Sequence, residues 1–161
     1  MFQLIAIFVA KYFFTVPVVV GAVYFLINSW EIGKKMIILS AISLPLLIIG
    51  IFILNYLYYD PRPFIISNFD PIVPHIPDNG FPSDHSALTA LIALIMYIFN
   101  RRIGIFLFSI SILVSISRIY VGLHHFVDVL AGILLAVLSV YLSQQIIKHY
   151  ISKPIEKIPY L

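Results

Sequence analysis

The sequence contains no cysteine among its 161 residues, and only 11% of its residues are charged. The missing cysteine excludes disulfide bonds, thiol catalysis and cysteine-ligated metal sites, and it leaves the redox compartment open. Ten basic residues stand against seven acidic ones, so the formal net charge is only +3. Because no basic stripe accompanies this small excess, we expect no nucleic-acid partner.

Apolar residues make up 61% of the chain, and its mean hydropathy is +1.05. Such values are typical of a protein that crosses a membrane several times. We therefore predict an all-α integral membrane bundle of five to six helices, with residues 1–161 forming one domain. No soluble domain has room beside it. Membrane lipids are the expected surroundings, and a monomer is the working expectation for an oligomeric state that the sequence leaves open.

Apolar runs separated by polar breaks predict five membrane spans. The predicted helices cover residues 12–29, 36–59, 83–99, 103–117 and 123–147. Residues 1–11 are predicted to form an extension or a short interfacial helix, with a kink later at Pro17, and residues 31–35 and 100–102 to form polar turns. Residues 60–82 hold six of the ten prolines and are predicted to form a functional loop rather than a helix. The third and fourth spans are short, so their polar ends should lie below the headgroup surface.

Basic residues lie at those ends of the five predicted spans that share one side of the membrane. They are Lys34 and Lys35, Arg101 and Arg102, then Lys148, Lys153 and Lys157. The positive-inside rule assigns their side to the cytoplasm. The loop 60–82, His85, Arg118 and His124 then share the opposite, extracytoplasmic side, and the predicted site lies at the outer ends of the helices.

Ionisable residues interrupt the last apolar region at Arg118, His124, His125 and Asp128. Charges at membrane depth are costly and usually face a partner, a cavity or a reaction. The i,i+4 spacing predicts that His124 and Asp128 lie on one helix face, where the carboxylate holds one imidazole nitrogen and frees the other as base or nucleophile. Arg118 can grip phosphate oxygens. Together these residues suggest phosphoryl chemistry.

Each polar cluster also has a simpler explanation. Arg62 can anchor a loop at the membrane interface, Ser83 and Asp84 can cap a helix, and His124 with Asp128 can be a polar pair that stabilises the bundle. A proton relay in a transporter also uses such residues. The order of the clusters and their shared side favour a catalytic site over these alternatives.

The three clusters resemble the signatures of the type-2 phosphatidic acid phosphatase family. They read Arg62-Pro63, then Pro82-Ser83-Asp84-His85, then Ser117-Arg118-x5-His124-x3-Asp128, against a family pattern of K-x6-R-P, P-S-G-H and S-R-x5-H-x3-D. Within the family, the stretches Asp-Pro-Arg-Pro-Phe and Phe-Pro-Ser-Asp-His are most similar to the bacitracin-resistance type of undecaprenyl-diphosphate phosphatases. Asn55 stands where the family pattern has lysine, so that role is not carried over, and Asp84 replaces the motif's glycine.

The resemblance implies a phosphate site made by Arg62, Arg118 and Ser83, together with backbone N–H groups at the start of the third helix. Asp84 belongs to the same predicted site. Its carboxylate must pair with an arginine or be protonated, since it would otherwise repel a phosphate.

The resemblance also implies catalytic roles. His124, oriented by Asp128, would attack phosphorus and form a phosphohistidine, while His85 would protonate the leaving oxygen and then activate water. His125 is a rival nucleophile by helix spacing, and the family spacing selects His124. No metal and no cofactor are expected, because arginines supply the positive charge.

The function expected from the resemblance is hydrolysis of a polyprenyl diphosphate, such as undecaprenyl diphosphate, to the monophosphate at the outer face of the cytoplasmic membrane. Other lipid phosphates, namely phosphatidic acid, phosphatidylglycerol phosphate and lipid A phosphate, are the alternative substrates. A channel or flippase is a competing function of a different class. The vanadium haloperoxidases have similar motifs, but the high hydrophobicity of this chain argues against a soluble enzyme of that kind.

Overall fold

The computed structural model describes residues 2–151, and the regular structure in that range is entirely helical. Its α-helices are α1 Phe2–Tyr12, α2 Thr15–Ile27, α3 Trp30–Leu57, α4 Pro63–Ile66, α5 Asp84–Phe99, α6 Arg101–Tyr120 and α7 Phe126–Ile146, and a π-helical turn, Ile147–Ile151, continues α7. The all-α prediction is confirmed. The described residues contain seven α-helices rather than five to six, because the first apolar run breaks in two and the loop contains the four-residue α4.

Three helices within residues 2–151 are long and apolar enough to cross a membrane. They are Trp30–Leu57, Arg101–Tyr120 and Phe126–Tyr150. The pair Gln3–Tyr12 and Thr15–Ile27 adds a fourth span if its two helices, bent by 46°, are taken as one. With 16 residues, α5 is about 24 Å long, shorter than a hydrocarbon core of ~30 Å. The chain is therefore a multi-pass membrane protein with one short central helix.

The core lies around α5, which packs against α2, α3, α6 and α7. Its inner face carries Ala87, Ala90 and Ala93, all almost fully buried, so neighbouring helices approach closely. The outer helices instead expose large apolar side chains, including Phe52 and Leu134. Contact with lipid explains this exposure, because water would make it unfavourable.

The antiparallel order of the helices brings four polar helix ends together. We call this the site end: it consists of the C-terminal ends of α3 and α6 and the N-terminal ends of α5 and α7. The first helix packs here too, since Ala6 and Ala10 join Val121 and Leu123 in one buried cluster. The opposite, basic end carries Lys34, Lys35, Arg101, Arg102 and Lys148. Lys153 and Lys157 lie outside the described residues.

The predicted polar turns were too long. Residues 31–35 belong to α3, where Glu31 lies in the first turn and pairs with Lys34 at 2.9 Å. Charges at a helix end remain solvated and complement the helix dipole, so they need no turn. Between α5 and α6 only Asn100 is non-helical, and its Oδ1 caps α6 by accepting from the Ile103 N–H at 3.2 Å.

Three helix boundaries were also wrong. The first span was placed at residues 12–29 with a kink at Pro17, but the break falls at residues 13–14 and Pro17 lies in the first turn of α2, where proline is tolerated. With 20 residues, about 30 Å, α6 is not short. The last helix begins at Phe126 rather than Leu123, because His125 forms its N-terminal cap together with Asp128.

Candidate active site

His124 lies at the centre of the site end, in the short turn between α6 and α7. Only 3% of its surface is exposed. Its Nδ1 is 2.9 Å from the carbonyl oxygen of Gly80, and since a carbonyl can only accept, Nδ1 carries the proton. The other nitrogen, Nε2, is therefore the unprotonated one in the neutral ring. Burial lowers the pKa of His124, which favours this neutral form at neutral pH.

Two arginines converge on Nε2 of His124. Nη1 of Arg62 and Nη2 of Arg118 each lie 3.3 Å from it. Guanidinium groups can only donate, so Nε2 presents its lone pair to both of them. A neutral imidazole nitrogen flanked by two fixed cations can attack an electrophile whose oxygens the arginines hold.

Arg62 is fixed in place by residues of the long loop. Its Nε pairs with Asp78, and its Nη1 also donates to the Leu123 carbonyl at 2.9 Å. Arg118 is less constrained. Although it is only 5% exposed, its Nε has no hydrogen-bond partner among the described residues. An unpaired buried guanidinium nitrogen is unfavourable, and an oxyanion that accepts two parallel bonds would satisfy it.

Asp128 is fully buried beside His124. Its Oδ2 accepts from the His125 backbone N–H at 2.8 Å and lies 3.4 Å from Nδ1 of His124. The carboxylate is thus close to the histidine, as the spacing predicted, although no helix face joins them, since both histidines precede α7. The Gly80 carbonyl, not Asp128, makes the shorter contact to Nδ1.

His125 faces away from the two arginines. Its Nδ1 lies 3.1 Å from Oδ2 of Asp60 and 4.0 Å from Asp128. Asp60, His125 and Asp128 each offer one donor atom within 4.8 Å of the others, which makes them the residues here that could hold a metal ion. Partial burial, followed by the neighbouring Asp128 carboxyl, raises the pKa of Asp60.

Asn79 holds the loop that supplies the Gly80 carbonyl. Its amide nitrogen donates to the carbonyls of Asn55 and Tyr58 at the end of α3, and its Oδ1 accepts the backbone N–H groups of Asp60 and Phe81. Gly80 passes through a narrow gap: a Cβ on it would lie 3.1 Å from Oδ2 of Asp128. A larger residue at this position would therefore have to displace its neighbours by a few tenths of an ångström.

The arginines and His124 line a polar cavity of about 320 Å³. Its wall consists of Asn55, Arg62, His75, Asp78, Asn79, Pro82, Asp84, His85, Arg118 and His124. An apolar groove of about 450 Å³ adjoins it between α3 and α5, and Asn55 and Asp84 line both. The groove is lined further by Leu44, Leu47, Ile48, Ile51, Phe52 and Leu88. A polar cavity next to an apolar groove suits a molecule with a charged head and an apolar tail.

The residues predicted in the second cluster are placed differently from one another. His85 lines the cavity, with its ring packed edge-on against Phe14 at 5.0 Å between centroids. Asp84 lines it too, but has no ion pair within 4.0 Å among residues 2–151; Arg62 pairs with Asp78 instead. Ser83 precedes α5, yet its side chain makes no capping bond. It is fully buried and does not line the cavity, and its backbone N–H donates to the Asp128 carbonyl.

One known protein family matches most of this chain. The model of the PAP2 superfamily matches residues 34–152, which include every residue of the three clusters. The chain belongs to the PAP2 superfamily. The resemblance read from the sequence motifs is thereby confirmed.

Two curated relatives and one solved structure illustrate the similarity. Undecaprenyl-diphosphatase BcrC of Bacillus subtilis is 29% identical over 86% of this chain and 71% of its own length. Bacitracin transport permease protein BcrC of Bacillus licheniformis is 32% identical over 82% of this chain and 65% of its own length. The crystal structure of Aquifex aeolicus LpxE superposes with a TM-score of 0.72 at 21% identity, covering 88% of this chain and 86% of that one. This last comparison concerns the fold alone.

Five residues of this PAP2 site were missed by the sequence reasoning. Asp60, His75, Asp78, Asn79 and Gly80 all belong to, or flank, the proline-rich loop. The polar residues and the glycine in a loop otherwise rich in apolar residues were the sequence features that could have indicated them. The residues they contact lie far away in the sequence, so the contacts themselves could not be predicted.

Proposed function

We propose that this protein is a lipid phosphatase that hydrolyses a polyprenyl diphosphate to the monophosphate and inorganic phosphate through a phosphohistidine on His124. The observation that carries the proposal is Nε2 of His124, unprotonated and 3.3 Å from both Arg62 and Arg118. One membrane-embedded domain, residues 1–161, would perform the reaction.

In the first step, the terminal phosphate would bind the two arginines and the N–H groups that open α5. The lone pair of His124 Nε2 attacks phosphorus, and the bond from phosphorus to the bridging oxygen breaks. His85, in the cavity wall, is protonated when the anionic diphosphate binds beside it, and it donates this proton to that oxygen as the lipid monophosphate leaves. The phosphorylated ring keeps its Nδ1 proton and is cationic, so the Gly80 carbonyl and Asp128 stabilise it.

In the second step, water attacks the phosphohistidine. His85, now neutral, takes one proton of the water, and inorganic phosphate leaves with the bond to Nε2 broken. His124 returns to its starting state with the proton still on Nδ1. The sum is one water consumed for one anhydride bond. The proposal assigns charge neutralisation to the arginines, with no metal and no cofactor, because both guanidinium groups already face the attacking nitrogen.

The choice of a polyprenyl diphosphate rests on two supports. The Bacillus subtilis relative carries the name of an undecaprenyl-diphosphatase. In addition, the apolar groove between α3 and α5 shares Asn55 and Asp84 with the polar cavity. A long apolar chain could lie in this groove while its diphosphate lies in the cavity.

The proposal places the site on the extracytoplasmic side of the cytoplasmic membrane, because the basic end of the bundle is opposite to it and basic residues favour the cytoplasm. Cysteines introduced singly by Lys34→Cys and Asp70→Cys test this with an impermeant thiol reagent, since the native chain has none. Labelling of Asp70→Cys from outside is expected. Labelling from the cytoplasm alone would reverse the orientation.

Phosphate release from a panel of lipids tests the activity. Purified protein in excess chelator should release phosphate from undecaprenyl diphosphate faster than from phosphatidic acid, phosphatidylglycerol phosphate or lipid A phosphate. Faster release from one of the other three lipids would identify that lipid as the substrate and leave the proposed phosphohistidine mechanism unchanged. Loss of all activity in chelator, restored by a divalent ion, would contradict the assignment of charge neutralisation to Arg62 and Arg118.

A further inference from the structure

Asp128 has one oxygen that the mechanism leaves unexplained. Its Oδ2 is used by the His125 N–H and faces His124, whereas Oδ1 has no hydrogen-bond donor within residues 2–151. The side chain is fully buried. A buried, ionised carboxylate oxygen that accepts no hydrogen bond is energetically costly. A hydrogen-bond donor for Oδ1 is therefore expected nearby.

Asp60 is the group in a position to supply it. Its side chain is 13% exposed, and its carboxyl lies within 4.8 Å of that of Asp128. Its backbone is held on both sides, because its carbonyl accepts from the Gly80 N–H at 2.8 Å and its N–H donates to Asn79 at 2.9 Å. Asp60 therefore cannot easily retreat from a neighbouring carboxylate. Two ionised carboxylates this close repel each other, and sharing one proton removes the repulsion.

We propose that Asp60 is a protonated positioning residue that donates a hydrogen bond to Asp128. Oδ2 of Asp60 then accepts from Nδ1 of His125 at 3.1 Å, so His125 supports this pair from its outer side. The proton supplies the donor that Oδ1 of Asp128 lacks. One negative charge, on Asp128, remains beside His124 instead of two.

In the proposed reaction, the Asp60–Asp128 pair supports His124. This catalytic role of the pair rests on the proposed function. Asp128 stays anionic and fixed in orientation, ready to stabilise the cationic phosphohistidine. A second carboxylate charge would weaken phosphate binding at Arg62 and Arg118. Asp60 acts only through Asp128 and touches no substrate.

A metal ion is the alternative occupant, because Asp60, His125 and Asp128 offer three donor atoms. The proton accounts better for the geometry. Oδ2 of Asp60 and Nδ1 of His125 already lie 3.1 Å apart, which is a hydrogen-bonding distance, and the metal content of the purified protein distinguishes the two occupants.

Substitution separates hydrogen bonding from charge at Asp60. Asp60→Asn keeps a donor for Asp128 and an acceptor for His125, so it should retain most of the activity. Asp60→Ala removes both and should lower kcat by about tenfold or more with little change in KM. Asp70→Asn, in the exposed part of the same loop, controls for the loss of a carboxyl group from that loop. Equal losses in Asp60→Asn and Asp60→Ala would overturn the proposal.

Infrared spectroscopy tests the proton without using substrate. Protein labelled with ¹³C-aspartate should show a protonated-carboxyl stretch at neutral pH that Asp60→Asn removes and Asp70→Asn keeps. This result would stand even if the protein were not a phosphatase. Absence of the band from the wild-type protein would overturn the proposal. So would a divalent ion that co-purifies with the wild-type protein and is lost from Asp60→Asn.

Discussion

Replacement of Asp128 by asparagine tests which group controls the protonation of His124. In a catalytic triad the aspartate alone keeps the proton on Nδ1 of the histidine. Here the Gly80 carbonyl lies 2.9 Å from Nδ1, whereas Asp128 lies 3.4 Å away. The amide oxygen introduced by Asp128→Asn can keep the bond from the His125 N–H, and its nitrogen can take the place of Oδ1 and donate to the Asp60 carboxylate. The Gly80 carbonyl would still hold the correct tautomer.

Asp128→Asn is therefore expected to remove the negative charge beside His124 but to leave the proton of His124 on Nδ1. Removing a charged hydrogen-bond partner costs about 1.5–3 kcal/mol, which corresponds to a decrease of roughly 10- to 150-fold in rate. Where the aspartate alone fixes the tautomer of the histidine, the same substitution costs about 10⁴-fold. The two explanations differ by a factor that a rate measurement resolves easily.

The assay is steady-state phosphate release by purified protein, with Asp70→Asn as the matched control in the exposed loop. Asp128→Asn should lower kcat by one to two orders of magnitude, as estimated above, change KM little and still form phosphoenzyme. A loss near 10⁴-fold without phosphoenzyme would refute the role of the Gly80 carbonyl.

Two further substitutions test neighbouring parts of the site. His85→Ala should slow hydrolysis of a lipid diphosphate strongly but that of an activated aryl phosphate mildly, because the aryl leaving group needs no proton; equal losses with both substrates would argue against His85 as the acid. Gly80→Ala places a Cβ 3.1 Å from Oδ2 of Asp128 and should lower kcat about tenfold by displacing the carbonyl. Gly21→Ala, whose Cβ would meet nothing closer than 3.6 Å, should be neutral in the same assay. Unchanged kcat in Gly80→Ala would show that the gap is not tight.

The helical class was predictable from the sequence because long apolar runs separated by polar residues are typical of membrane helices. The spacing from Arg118 to Asp128 placed the ionisable groups at one helix junction, and the structure brings Arg62, Arg118 and His124 into contact. Local composition and order were sufficient for these features.

The remaining features depend on contacts that local patterns do not encode. A backbone carbonyl such as that of Gly80 has no side-chain signature, so its bond to His124 could not be foreseen. The pairing of Arg62 with Asp78 and the four bonds of Asn79 join distant parts of the chain. Helix periodicity also misled at His124, because it was extended into a turn that the His125 cap keeps non-helical.

Identification of the phosphorylated residue tests the central claim most directly. Protein mixed with a lipid diphosphate, quenched and analysed for a base-stable phosphoenzyme should carry the phosphoryl group on His124. His124→Ala should form none, whereas His125→Ala should still form it, because Nδ1 of His125 faces Asp60 outside the cavity. A phosphohistidine that persists in His124→Ala and disappears in His125→Ala would contradict the account.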